Sequence, residues 1–284
     1  MISISVPTKA TEMNPEDLRR LVGSDREADY VLIDVRQPEE YRAGHLPGAV
    51  LLPLAEFEDR LEEVWRRRDR AVVFYCHGGS RSRLAARLAA DGLGLDRSYS
   101  LRGGLNAWRG SALTGLPPLR LIEPQAGLPE ILTRAIDLEK GVRQLYAALI
   151  PHFVGRELDT TLRELEAAEI AHGQALHEAL TSSSRKPVPP FEMLFDSLPG
   201  NLLESGESWG SLVLRFQQVG RDGCVALLEL ALELEYRAHD LYKNLAERAE
   251  SPESRQLLLE LAQQEKLHAV SLLHRVGLYA TASQ

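Results

Sequence analysis

Cys76 opens the run Cys76-His77-Gly78-Gly79-Ser80-Arg81, directly after the apolar stretch AVVFY at 71–75 and directly before a helical stretch. A thiol in that position can do nucleophilic chemistry. Where a parallel strand ends in a glycine-containing loop and a helix begins, successive backbone N–H groups converge on one point and bind an anion. The helix dipole also favours thiolate over thiol, which activates Cys76 as a nucleophile.

A second group of residues, in the other half of the chain, is duplicated. Glu139 is followed seven residues later by Tyr146 and thirty later by Glu169, which opens Glu169-Ile170-Ala171-His172. Glu235 is followed seven later by Tyr242 and thirty later by Glu265, which opens Glu265-Lys266-Leu267-His268. Glu and His three apart on a helix share a face, one turn above the other. The midpoint of the first pair falls beside Gly155, that of the second beside Ser251 and Pro252, and both are turn signals. A chain that climbs one helix, turns there and descends the next brings each second Glu back to the height of its partner, about 22 Å from the turn. Two such hairpins packed together set four glutamates and two histidines at one level. That many ionisable groups in an apolar core require cations between them, and the donor set suits a pair of first-row transition ions.

The elements that must carry these residues divide the chain in two. Up to about residue 110, short β-branched runs alternate with helical stretches: 30–35 and 71–75 read as buried parallel strands, 57–68 and 82–91 as helices. This predicts an α/β domain over 1–120, linker included, with a parallel sheet flanked by helices. From about 128, Leu, Ala and Glu dominate. Helices are predicted near 129–153, 156–181, 211–249 and 252–276, the third broken around 220–223, with a long connection over 182–210. Residues 121–284 are therefore expected to form an all-α four-helix bundle.

Composition bounds the function. The 284 residues are 44% apolar, and no apolar run approaches the roughly 20 residues of a bilayer span, so no membrane partner is expected. The opening residues lack the pattern of a signal peptide, which makes a cytoplasmic location the expectation. The net charge of -8 is unevenly held, with 18 Lys+Arg against 17 Asp+Glu in 1–120 and 15 against 24 in 121–284. An acidic second half argues against nucleic acid as a partner. With only Cys76 and Cys224, neither a disulfide framework nor a four-cysteine metal site can be built within the chain.

The first half resembles the single-domain rhodaneses. Four ordered segments carry the likeness: Asp34-Val35-Arg36 with Glu40-Tyr41, then Gly44-His45-Leu46-Pro47-Gly48-Ala49, then the run from Cys76 to Arg81, then Gly103-Gly104-Leu105-Asn106-Ala107-Trp108. The resemblance implies a sulfurtransferase. Cys76 would take a sulfane sulfur from a thiosulfate-like donor, hold it as a persulfide in a cradle of His77, Gly78, Gly79, Ser80 and Arg81, and pass it to a thiol acceptor, with Arg81 as its catalytic companion. Related phosphatases have a loop one residue longer, which favours sulfur over phosphate here. His77 stands as either a residue tuning acceptor choice or a solvent-facing one. Asp34, Arg36 and His45 are expected to hold the loop's surroundings together.

The second half resembles the ferritin-like, rubrerythrin-like carboxylate proteins. Carried over by position, the metal ligands are Glu139, Glu169, His172, Glu235, Glu265 and His268, the cofactor is two iron ions with manganese or zinc as alternatives, and Tyr146 and Tyr242 are the tyrosines behind the ligands. Members tend to supply a further glutamate near the third-helix ligand, where this chain has Leu232 and Ala238, and to carry a four-cysteine iron centre that this chain cannot form. Such bundles often pair through exposed helix faces, so a homodimer is expected. Cys224 reads as a buried apolar residue or as a thiol that receives sulfur from Cys76, and His239 as a peripheral residue or a spare ligand. Two functions remain open on these residues: a sulfurtransferase coupled to a di-iron site with oxidase or peroxidase chemistry, or a persulfide carrier or sensor whose bundle binds iron or dimerises without turnover.

Overall fold

A computed structural model describes residues 11–24, 26–119, 127–154, 157–203, 205–219, 224–249 and 251–282, with the side chains of 157, 215–219, 224–225 and 276–282 excepted. The chain forms two units, one of residues 1–117 with 242–264 and the other of 118–241 with 265–284.

The first unit is built on a parallel sheet of β1 (Thr11–Met13), β2 (Tyr30–Asp34), β3 (Ala49–Leu51), β4 (Ala71–Tyr75) and β5 (Ser98–Leu101), in the order β1-β5-β4-β2-β3. Every residue of β2 and β4 is buried. Both faces of the sheet are covered, which is why these strands carry unbroken apolar runs where a half-exposed strand would alternate. One face packs Val31, Ile33, Val72 and Phe74 on Ala85, Ala86 and Ala89, and the other packs Leu32, Val73 and Tyr75 on Leu18, Tyr41 and Leu46. The chain turns one way after β2 and the other way after β4, so these adjacent strands flank the topological switch point. Sites on open α/β sheets form beyond the carboxyl ends of strands at such a point.

Among the described residues before 118, the helices that accompany the sheet are α1 (Pro15–Val22), α2 (Pro38–Ala43), α3 (Leu61–Trp65), α4 (Ser80–Arg87) and α5 (Gly104–Ala107). The helix predicted over 57–68 is shorter than expected. It breaks at Arg60 (φ -117°, ψ 23°), whose guanidinium bonds Glu56 on one side of the break and Glu63 on the other. The helix predicted over 82–91 begins two residues earlier and ends in a wider turn over Leu88–Gly92.

The second unit is helical, from α6 (Leu128–Leu149), α7 (Glu157–Ser183), α8 (Phe191–Ser197), α9 (Trp209–Val219) and parts of α10 (Cys224–Ala246) and α11 (Pro252–Ala282), whose remaining turns belong to the first unit. Its core draws Leu145, Tyr146 and Leu149 from α6, Leu158 and Leu162 from α7, Leu227, Leu228 and Ala231 from α10 and Leu272 from α11. Residues 220–223, where the third helix was expected to break, and most of the linker after 119 lie outside the described residues.

The connection over 182–210 contains a helix, α8, that the proline and glycine content obscures. Its end is fixed to α6. Lys140 Nζ donates to the carbonyls of Phe195 (2.6 Å), Asp196 (3.2 Å) and Leu198 (2.8 Å), and Asp137 accepts the Gly200 N–H at 2.7 Å. A cation on the carbonyls that end a helix satisfies acceptors with no partner inside it. Gly141 is required where this segment crosses α6, because a Cβ there would stand 2.1 Å from the Leu202 carbonyl oxygen.

Candidate active site and candidate metal centre

β4 delivers Cys76 to the sheet's carboxyl edge, and α4 begins at Ser80, so the cysteine loop enters its helix as the sequence pattern requires. The Gly79 N–H donates to Cys76 Sγ at 3.1 Å, from a residue at φ +97° that only glycine adopts readily. Burial pushes the Cys76 thiol up, but hydrogen bonds from Ser82, Gly79 and Arg81 outweigh it, and its pKa lies below the usual value. The thiolate is thus favoured inside a loop that has left Cys76 only 1% exposed. His77, Gly78 and Ser80 are exposed, Gly79 is buried and Arg81 is half-buried.

Arg81 is held by Glu40 through two hydrogen bonds, Nη1 to Oε2 at 2.6 Å and Nη2 to Oε1 at 2.7 Å. This fork holds the Glu40 carboxyl down at about 2. The Arg81 charge is stabilised first by Glu40 and then by Cys76. Asp34 and Arg36 form a buried pair at 2.7 Å, with Arg36 also donating to the Gly44 carbonyl. His45 stacks on Tyr41, with ring centroids 3.8 Å apart, and its Nδ1 lies 3.1 Å from the Tyr41 carbonyl.

Three features of the loop escaped sequence reasoning. The first is the role of Gly103 and Gly104, both at positive φ (72° and 56°). They start α5 so that the Leu105 and Asn106 N–H groups donate to the Cys76 (2.8 Å) and His77 (3.1 Å) carbonyls. A Cβ on Gly104 would meet the Cys76 oxygen at 2.3 Å. The second is Ser82, buried in the first turn of α4, whose Oγ donates to the Gly79 carbonyl and lies 2.9 Å from Ser100 Oγ. The third is the Glu40 partnership with Arg81. Glu40 was visible as part of a signature, and the bare order of residues gives no sign of its partner.

In the second unit, Glu139 from α6, Glu169 and His172 from α7, Glu235 from α10 and Glu265 and His268 from α11 come together. The four carboxylates are each at most 2% exposed. His172 Nδ1 lies 3.4 Å from Glu139, 3.6 Å from Glu169 and 3.3 Å from Glu265, and His268 Nδ1 lies 3.4 Å from Glu235. The two imidazoles stack, centroids 4.8 Å apart. Two overlapping groups, Glu139, Glu169 and His172, and His172, Glu265 and His268, each hold donor atoms within 4.8 Å of one another. A small cavity is lined by the four glutamates with Val142, Leu234 and Ala238.

The electrostatics of this cluster are those of a site that could hold cations. Both Glu235 oxygens, Glu265 Oε1 and the Nδ1 atoms of His172 and His268 are buried without a hydrogen bond. Burial, then the charge of Glu139, pushes the Glu265 carboxyl well above its usual value. Burial pulls the His172 imidazole down, but the close Glu139 carboxylate and the charges of Glu265 and Glu235 prevail and raise it to about 10. The cluster borrows protons as its positive charge, and the same donors, deprotonated, fit first-row transition ions. Tyr146 and Tyr242 are fully buried. His239 is buried but belongs to neither donor group, His152 is exposed, His177 is half-buried with its Nε2 2.7 Å from the Pro189 carbonyl, and the side chain of Cys224 lies outside the described residues.

Comparison with known proteins agrees with both halves. A model of the rhodanese-like domain matches residues 14–111. A sulfurtransferase of Allochromatium vinosum is 40% identical over 108 residues, 37% of this chain and 92% of that protein. The chain belongs to the rhodanese-like family. The thiosulfate sulfurtransferase GlpE of Pseudoalteromonas translucida is 34% identical over 80 residues, 28% of this chain and 73% of that protein. The HTH-type transcriptional regulator Rv0324 of Mycobacterium tuberculosis is 46% identical over 96 residues, 32% of this chain, and the chain spans 39% of its length. The rhodanese-like domain is fused to a second one, since a rubrerythrin model matches residues 226–279, which include Glu235, Glu265 and His268. Among the described residues, no helix is long and apolar enough to cross a membrane.

Proposed function

We propose that the chain is a sulfurtransferase that carries sulfane sulfur on Cys76 as a persulfide, with a second site in its helical half that binds two metal ions, iron foremost, and serves redox chemistry. The sulfur chemistry is assigned to residues 1–120 and metal binding to 121–284. The observation that carries the reading is the Gly79 N–H aimed at Cys76 Sγ, in a loop that lowers the thiol's pKa.

The forward step is a displacement at sulfur. The Cys76 thiolate attacks the outer sulfur of thiosulfate, a bond forms between Sγ and that sulfur, the donor's S–S bond breaks, and sulfite leaves with the electron pair. In the return step a thiolate or cyanide attacks the outer sulfur and Cys76 departs as thiolate. The resting thiolate carries its negative charge on Sγ, where the Gly79 N–H stabilises it, and in the persulfide that charge lies on the outer sulfur. Arg81, fixed by Glu40, supplies positive charge beside it. His77, exposed at the loop, is positioned to meet the acceptor.

In the helical half, Glu139, Glu169, His172, Glu235, Glu265 and His268 would hold the metal ions. Bound iron supplies a one-electron redox couple. The chain's own contribution is to exclude water with Val142, Leu234 and Ala238 and to keep four carboxylates within reach of two imidazoles. The proposed homodimer finds support in Leu267, Val270 and Leu273, which form an exposed apolar stripe on α11 at three-residue spacing.

A thiosulfate:cyanide assay tests the first part: thiocyanate should form with the intact chain and not with Cys76→Ala. Equal rates in both would refute the assignment. Metal analysis after anaerobic loading with ferrous iron tests the second, with about two ions retained per chain expected.

A further inference from the structure

Away from both sites, the first unit contains an open cavity of about 370 Å³ between the segment before β4 and the start of α11. Its lining is rich in arginine: Arg67, Arg70, Arg255 and Arg66, the last paired with Glu62 at 2.6 Å, against one lining carboxylate, Asp69. Ala28, Ala249 and Leu259 supply apolar wall.

The charges behind that wall do not cancel. Glu247, buried beneath it, is fully engaged. Its Oε1 accepts from Arg70 Nη1 at 2.5 Å, and its Oε2 accepts from Arg70 Nη2 at 2.9 Å and Arg67 Nε at 2.8 Å. Burial pushes the Glu247 carboxyl up, but the hydrogen bonds and charge of Arg70 and the charge of Arg67 hold it at about 2. One carboxylate therefore serves two guanidinium groups that are each 7% exposed. Arg255, whose side chain is 34% exposed, stands nearby: its Nη2 is 3.9 Å from Glu247 Oε1, too far for a hydrogen bond. Burial and the charge of Arg70 pull the Arg255 guanidinium below its usual value, so it sits in a field of like charge. The N-terminal end of α11, which opens at Pro252 in the cavity wall, adds the positive end of a long helix dipole.

Two buried guanidinium groups share one carboxylate, and a third, Arg255, partly exposed and 3.9 Å from that carboxylate, faces a space of ligand size. We propose that this cavity is a binding site for a small molecule bearing a tetrahedral oxyanion group, a phosphate or a sulfate, which Arg255 engages directly while Arg67 and Arg70 supply the field. Guanidinium groups match the geometry of such an oxyanion, and the volume leaves room for an organic body beyond it. The site is separate from the cysteine loop, and it stands whether or not sulfur transfer does.

The test is calorimetric titration of the full chain in low-salt buffer with three probes: inorganic sulfate, inorganic phosphate and a nucleoside diphosphate. Arg255→Gln is the decisive variant, because it leaves Glu247 with both of its hydrogen-bonded partners. A saturable event that weakens about tenfold or more in Arg255→Gln, in a protein with unchanged circular dichroism, is the expected result. Tighter binding of the nucleotide than of both inorganic ions would assign the site to an organic phosphate, and equal binding would assign it to a free oxyanion. Any anion bound in the cysteine loop would persist in the variant and is thereby distinguished. Absence of saturable binding for all three probes, or unchanged affinity in Arg255→Gln, would overturn the proposal.

Discussion

Glu40 and Arg81, forty-one residues apart, form a two-pronged ion pair that ties α2 to the first turn of the helix behind the cysteine loop. Both side chains remain about a third exposed, so the pair adds at most about 1 kcal/mol to stability. Its consequence is positional. Glu40→Gln should leave the melting temperature nearly unchanged while lowering kcat/KM for thiosulfate about tenfold, as expected when a charged group loses its orienting partner. Steady-state kinetics beside a thermal melt checks this. A large loss of stability with unaltered kinetics would reverse the reading.

The Cys76 thiolate is favoured by donors, Ser82 foremost among them. The rate of alkylation by iodoacetamide should therefore reach half its plateau at a pH below the ordinary thiol value of 9.0. Ser82→Ala, which removes the hydroxyl and keeps the backbone N–H, should move that midpoint upward, and an unmoved midpoint would show that the Ser82 hydroxyl does not tune the thiol.

Gly104 leaves space for a carbonyl that any side chain would invade. Gly104→Ala forces a Cβ to within 2.3 Å of the Cys76 oxygen at a φ of +56°. The expected cost is about 1–3 kcal/mol, with sulfurtransferase activity lost because the loop must shift. Urea denaturation and the thiocyanate assay read the two effects separately.

Glu247 gives the first unit an acid-labile bond. Its folded pKa of about 2 lies below the ordinary 4.5, so its stabilisation is present above 4.5 and is lost as pH falls toward 2. Glu247→Gln strands two buried guanidinium groups and should cost about 3–5 kcal/mol at neutral pH. The gap between variant and wild type should narrow in denaturant titrations at successively lower pH. A constant gap would mean that the charge of Glu247 is not what stabilises the fold.

The sequence made the chemistry legible wherever it depends on spacing along one element. Cys76 after a buried strand and the Glu and His of one helix turn are local patterns, and the structure brings the Glu/His residues within a few ångströms of each other. The helical hairpins were readable for the same reason, since their turns fall midway between the duplicated glutamates. Partnerships across elements were not readable. The pairing of Glu40 with Arg81, of Glu27 with Lys243, and of Glu247 with Arg67 and Arg70 depends on tertiary placement that no periodicity encodes. α8 was missed because its signal is seven residues long, set among prolines and a glycine, and its end is held by Lys140 of another helix.

The metal cluster carries its own prediction. Glu265→Ala removes a donor from the group formed with His172 and His268. Retained metal should fall from about two ions per chain to one or none, read by elemental analysis after anaerobic loading and desalting. Full retention in the variant would remove Glu265 from the ligand set.

The account rests above all on sulfur bound at Cys76, and mass spectrometry of the intact chain after brief exposure to thiosulfate tests that most directly. The mass should rise by one sulfur atom, localise to the peptide containing Cys76, and be discharged by cyanide. An unchanged mass, or a gain that persists in Cys76→Ser, would contradict it.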